Sequence, residues 1–362
     1  MSTVAPPSHH ALVFHPLTVT VVEHDTADAL VVTLAVPAEL ADVYAFAPGQ
    51  HVTLRTVLDG DDVRRSYSIC APAGAALRVG IKRVPGGRFS MWAHEHLRPG
   101  VEVDVLPPTG GFTCPPVAGT ARHVAALAAG SGITPIIGIV ASLLAAEPDT
   151  TVTVAYLNRT TADTMFLDEL HDLKDRHLGR LALWHLLTRE PTDAALVDGR
   201  PDAAALAGLI AKGVLPADAD AWYLCGPLAL VADARTALVA AGVPDAHVHT
   251  ELFGTGAAAP AEPVVAADAD VVATLTAQLL GRRTALPVQA GETLLAAVSR
   301  ARPDAPFSCR SGVCTTCRAL VREGSATMRV CYGLEPGEVA AGYVLTCQAT
   351  PTSPVLDLDF DA

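Results

Sequence analysis

The sequence predicts a multidomain chain: an antiparallel β-barrel, then an α/β doubly wound parallel sheet, then a smaller α+β unit. Three observations predict it. The first third of the chain alternates apolar and polar residues with period two, the mark of half-buried strands. The middle third changes to a strand–helix–strand rhythm, the mark of a parallel sheet covered by helices. A run of small residues follows, and five of the eight cysteines lie beyond it.

In the first part, residues 17–22, 30–34, 51–55 and 77–81 read as short strands, separated by turn signals such as Pro48-Gly49 and Asp59-Gly60. A helix is expected over 89–97, stopped by Pro99-Gly100. From Arg122 onward, strands are expected at 124–128, 152–157, 181–187 and 222–225, with helices at 136–146, 164–177, 203–212 and 228–241. Ligands of such a sheet gather at the carboxyl ends of its strands. The run GTGAAAPAEP at 254–263 reads as a linker. The third unit opens with a hairpin pattern at 274–280 and 284–288. The expected division is 1–112, 113–253, the linker 254–263, and 264–362.

Composition narrows the function classes. The 362 residues carry 25 basic and 38 acidic side chains, a formal charge of −13, so nucleic acid is not an expected partner. Half the residues are hydrophobic, which excludes a disordered chain. The start MSTVAPPSHHALV has neither a basic region nor an apolar core, so no secretory signal is expected. The apolar stretch 124–147 is long enough to suggest a membrane span, but Gly130-Ser131-Gly132 and Thr134-Pro135 divide it into strand, turn and helix. A cytoplasmic protein with reduced thiols is the expectation, with no membrane partner.

Cys309, Cys314 and Cys317, with the distant Cys347, follow the spacing Cys-x4-Cys-x2-Cys…Cys, that of plant-type 2Fe–2S ligands. The loop SCRSGVCTTC is built of small residues, which lets backbone amides approach the sulfurs. A zinc site would show two Cys-x2-Cys pairs, and one is present. Cys331 lies between the ligands and is expected to be structural.

Arg65-Ser66-Tyr67-Ser68 supplies a cation, an aromatic ring and a hydroxyl, the three groups a flavin needs; alone it also suits an ordinary strand end. Gly86-Gly87-Arg88-Phe89-Ser90 places two glycines before a helix N-terminus, either an anion site or a plain turn and cap. Gly130-Ser131-Gly132-Ile133-Thr134-Pro135 follows a buried strand and opens a helix, where pyrophosphate can approach the backbone. It departs from G-x-G-x-x-G at its last position. Asn158, Arg159 and Thr160 end the next strand, and an Arg there can hold a 2′-phosphate. Cys225-Gly226-Pro227 ends another, placing a thiol where hydride would leave a nicotinamide. Phe253 either covers a flavin face or belongs to the core.

Taken together and in this order, these residues resemble the ferredoxin–NADP reductase superfamily with a C-terminal plant-type ferredoxin, over nearly the whole chain. The resemblance implies a ferredoxin β-grasp for the third unit and the cofactors FAD, NADPH and a 2Fe–2S cluster. By analogy, Arg65, Tyr67, Ser68, Gly87, Arg88, Phe89, Ser90 and Phe253 bind FAD. Gly130, Gly132, Thr134, Arg159, Cys225, Gly226 and Pro227 bind the nicotinamide dinucleotide; Tyr67, Ser68 and Cys225 serve hydride transfer. Within the superfamily, KRVPGGRFSMWAHEHLRPG, AAGSGITPIIGI, LNRTTADTMF and LEPGEVAAGYVLTCQATP are most similar to the reductases of phenylacetyl-CoA epoxidase. The reductases of 3-ketosteroid 9α-hydroxylase and of aromatic-ring oxygenases share the layout. The resemblance implies an external, multi-subunit oxygenase of di-iron type, since His94-Glu95-His96, His247 and His249 lack the Glu-x-x-His pairs of a di-iron bundle. A non-catalytic ferredoxin-like carrier is the alternative of another class. The negative charge of four thiolates predicts a basic partner surface near 308–317.

Overall fold

The computed structural model describes residues 12–190, 199–253 and 270–362. The expected linker 254–263 lies outside them.

The first unit is a curled antiparallel sheet of six strands: β1 (His15–Thr26), β2 (Ala29–Ala35), β3 (His51–Leu58), β4 (Asp61–Ser68), β5 (Leu77–Lys82) and β6 (Glu102–Val105), with α1 (Arg88–His96) between the last two. Its order is β4-β3-β6-β1-β2-β5, and Ile69, just past β4, bridges to Val79 of β5, bringing the two edges together. Inward residues such as Leu17, Val19, Val32, Leu54, Val79 and Phe89 form its core. The β3–β4 hairpin, which carries the R-x-Y-S motif, pairs His51 with Ser68 and Thr53 with Ser66.

The second unit is a five-stranded parallel sheet in the order β11-β10-β7-β8-β9. Its strands are β7 (His123–Ala129), β8 (Thr151–Asn158), β9 (Leu181–Leu187), β10 (Ala221–Cys225) and β11 (Val248–Glu251). The helices α2 (Ile133–Ala146), α3 (Leu167–Arg176), α4 (Ala203–Ala211) and α5 (Leu228–Ala240) cover it, and two cores fill its two faces. Strand β11 is not among the strands expected from the sequence: four residues with three polar side chains carry no apolar signal, and pairing to β10 alone makes them a strand. Glu147, at the end of α2, is fully buried and accepts hydrogen bonds from Arg122, Thr150 and the Val117 amide, which ties the entry to this unit together.

The third unit has a five-stranded sheet in the order β13-β12-β18-β14-β16. It comprises β12 (Val271–Leu279), β13 (Arg282–Gln289), β14 (Arg318–Glu323), β15 (Ala326–Met328), β16 (Tyr343–Leu345), β17 (Ala349–Pro351) and β18 (Val355–Asp359). Helix α6 (Leu294–Ala301) packs on it, short α7 (Pro336–Ala340) precedes β16, and β15 pairs with β17. Among the described residues, no helix is long and apolar enough to cross a membrane.

Candidate functional site

The carboxyl ends of β7, β8 and β10 carry the glycine turn, Asn158-Arg159 and Cys225-Gly226-Pro227, as a parallel sheet requires. Gly130 adopts φ +54°. A Cβ on Gly132 would lie 2.2 Å from the Cys225 carbonyl oxygen, so no side chain is tolerated there. The Tyr156 hydroxyl donates to the Gly130 carbonyl at 2.9 Å and fixes the turn. Thr134 is buried, with its hydroxyl donated to the Ser131 carbonyl, so its side chain shapes the turn. Arg159 is exposed but already paired with Asp163 at 2.5 Å and with Asp28 at 3.6 Å. A 2′-phosphate there has to share the guanidinium with those carboxylates, both of which engage its Nη2.

On the barrel, Arg65 is exposed and bonded to nothing stronger than the Arg64 carbonyl among its described contacts, at 2.7 Å. The Tyr67 ring packs 5.6 Å from that of Phe89. Phe89 itself is fully buried beside Trp92, so its side chain is barrel core and it can reach a cofactor through its backbone amide alone. The Ser90 hydroxyl bonds the Val84 amide and the Gly87 carbonyl, which closes the turn rather than facing a ligand. Arg88 is paired with Asp61 at 2.7 Å and donates to the Leu58 carbonyl. What remains for an anion is the start of α1, where Gly87 is the N-cap and no side chain caps the free amides. Phe253 is 44% exposed while Leu252 is buried, which removes Phe253 from the core.

The two halves meet at a group that the sequence motifs name only in part. The Ser68 hydroxyl donates to Glu251 Oε2 at 3.2 Å, and Glu251 is the register partner of Cys225 on the adjacent strand. Only 12% of the Glu251 side chain reaches water, and this desolvation pushes its carboxyl up to about 8, so it holds a proton at neutral pH. The Cys225 thiol is pushed well up by the same burial and then by Glu251, so it is a neutral contact surface and no nucleophile. His51 Nδ1 stands 3.9 Å from Glu251, and its Nε2 meets the Thr109 hydroxyl at 3.2 Å. Desolvation pulls His51 down to about 4 and keeps its ring neutral. Its partnership with Ser68 across β3–β4 could be read from strand register; its approach to Glu251, in another unit, carries no sequence signal.

The four thiols fall into two pairs, Cys309 with Cys314 and Cys317 with Cys347. Among the described residues, no three His, Cys, Asp or Glu side chains converge on a single ion. Two such pairs would suit a two-iron cluster held by four thiolates. The Thr346 hydroxyl and amide both reach the Cys317 carbonyl, drawing the distant Cys347 to its partner. The Cys309 amide points at the Cys314 sulfur at 3.4 Å, the Ser311 amide at that of Cys309 at 3.3 Å, and Gln348 at that of Cys347 at 3.8 Å. Donors aimed at sulfur suit thiolates carrying negative charge. Cys331 interacts with the Leu334 backbone instead, and burial raises its thiol.

These are the parts of a modular electron-transfer oxidoreductase. Family models agree: an oxidoreductase FAD-binding domain matches residues 16–114, an oxidoreductase NAD-binding domain 126–236, and a 2Fe-2S iron-sulfur cluster binding domain 277–352. The chain is 42% identical to a component of the 1,2-phenylacetyl-CoA epoxidase of Escherichia coli, over 96% of this chain and 98% of that one. It is 34% identical to the ferredoxin reductase component of 3-ketosteroid-9-alpha-monooxygenase of Rhodococcus rhodochrous, over 95% and 96%. Among solved structures, phthalate dioxygenase reductase matches with a TM-score of 0.57 and 25% identity, covering 96% of this chain and 98% of that one. The chain belongs to the ferredoxin–NADP reductase superfamily, in the group of FAD-, NAD- and 2Fe–2S-binding reductases with a C-terminal ferredoxin unit.

Proposed function

We propose that this reductase draws electrons from NADPH and delivers them to a multi-subunit di-iron oxygenase, the epoxidase of phenylacetyl-CoA, in the cytoplasm. A nicotinamide gives two electrons as hydride, a flavin accepts two and releases one at a time, and a 2Fe–2S centre accepts one. The chain's own residues define the rest. Ser68 and Glu251 hold a proton beside the strand ends where hydride would arrive. The start of α1, Arg65, Tyr67 and Phe253 are the groups we assign to FAD. The turn Gly130–Gly132, Arg159 and Cys225-Gly226-Pro227 are those we assign to the dinucleotide. Cys309, Cys314, Cys317 and Cys347 are those we assign to the cluster. The division at 1–112, 113–253 and 264–362 follows these roles.

The observation that carries the reading is the β3–β4 hairpin, whose Ser68 hydroxyl meets Glu251 beside Cys225 while its Ser66 and Thr53 hydroxyls meet Ser308 and Thr316 of the thiol loop, so one hairpin touches both the proton-holding group and that loop. Similarity over 98% of the length of the Escherichia coli relative supports the choice of oxygenase. The test is reconstitution of the holoprotein with NADPH and the epoxidase components of that relative. Oxygen consumption dependent on phenylacetyl-CoA is expected; consumption with a 3-ketosteroid and its hydroxylase alone would favour the second relative's chemistry.

A further inference from the structure

The loop expected to meet an external partner is covered. Ser308, Cys314, Thr316 and Cys317 are buried, and Val313 lies in a core of the second unit. The cover over the cysteine loop comes in part from β3 and β4 of the barrel. Ser66 meets Ser308 at 3.0 Å and Thr53 meets Thr316 at 3.5 Å, hydroxyl to hydroxyl. Water replaces such contacts at little cost.

One contact is different in kind. Arg64, the residue before the R-x-Y-S motif, is 4% exposed. Its guanidinium lies 3.8 Å from the ring centroid of Phe307 in the third unit and donates to the Ala305 carbonyl at 3.2 Å. Its counter-charge, Asp62 at 2.7 Å, is on the same strand. Arg64 is therefore neutralised within the barrel whether or not the third unit is seated. Seating adds an aromatic face and one carbonyl, enough to favour contact and too little to make it permanent.

We infer that Arg64 is a positioning residue that latches the ferredoxin unit onto the flavin barrel, and that this latch must open before the cysteine loop can meet another protein. The inference rests on the reading that electrons pass between these two units. No bond is made or broken; the Arg64–Phe307 contact is exchanged for solvent.

The test uses the holoprotein with Arg64→Gln, Arg64→Lys and Phe307→Leu. Small-angle scattering reads seating without any turnover. Stopped-flow absorbance reads flavin bleaching by NADPH and, separately, the later iron–sulfur bleaching. For Arg64→Gln and Phe307→Leu we expect a larger radius of gyration, an unchanged flavin phase and an iron–sulfur phase slower by about tenfold, the value of one desolvated cation–π contact. Arg64→Lys should recover part of both, and the double variant should be no worse than either single one. If Arg64→Gln fails to fold, Phe307→Leu, which keeps an apolar side chain, carries the test. Unchanged dimensions and unchanged iron–sulfur phase in Phe307→Leu would overturn the latch. So would a parallel fall in the flavin phase, which marks general damage. If the wild type itself shows no iron–sulfur phase, the functional reading fails while scattering still decides the latch.

Discussion

His51 Nδ1 stands 3.9 Å from Glu251 Oε1, with both side chains almost wholly out of water. Burial acts on the two in opposite senses: it strips the proton from the imidazole and keeps one on the carboxyl. The pair is neutral at pH 7, so the interior holds no bare charge while Glu251 keeps its proton.

Glu251→Gln should therefore alter two pH profiles. The folded carboxyl binds its proton more tightly than the unfolded one, so its contribution to stability is present at low pH and is lost as pH rises from the ordinary carboxylate range through about 8. The variant should flatten that decline in urea-melt midpoints between pH 5 and about 8, and should slow flavin reduction by about tenfold or more. An unaltered stability slope would remove Glu251 as the protonated group.

Cys314→Ser should abolish the visible iron–sulfur spectrum and leave flavin bound and reducible by NADPH, because the barrel is untouched. Cys331→Ser should keep the spectrum. A normal cluster signal in Cys314→Ser, or its loss in Cys331→Ser, would reverse the ligand assignment.

Arg159→Ala should raise the Km for NADPH about tenfold and that for NADH far less, since a charge-assisted contact to phosphate is at stake. The ion pairs to Asp163 and Asp28 compete with the phosphate and hold the effect at the lower end. Equal changes for both nucleotides would show that Arg159 does not read the 2′-phosphate.

Glu147→Gln should destabilise the second unit by about 3 kcal/mol, the low end for a broken buried pair, because Arg122 keeps 21% of its side chain in water. Burial works against the Glu147 charge, but Arg122, Thr150 and the Val117 amide outweigh it and hold the carboxyl low. Its stabilising share is present above the ordinary carboxylate range and is lost as pH falls below it. Urea melts at pH 7 and pH 4 should show the variant's deficit shrinking in acid.

The sheets are legible in the sequence because period-two and strand–helix patterns are written locally. So are the four cysteines, whose spacing is chemistry rather than context. Phe89, Ser90 and Thr134 invite a ligand role because a motif names positions and not directions; each side chain turns inward to its own turn or core. His51 and Arg64 stay hidden for a different reason. A buried histidine and a strand arginine look ordinary until residues from a distant unit arrive beside them.

The missing Cβ at Gly132 bears on how related sequences should be compared. With the Cys225 carbonyl so near, position 132 is constrained by its neighbour strand before any nucleotide binds. A glycine retained there across homologues measures backbone clearance, not cofactor use. A chain that had lost its nucleotide would still keep it, so evolutionary retention of this glycine cannot by itself certify an active reductase.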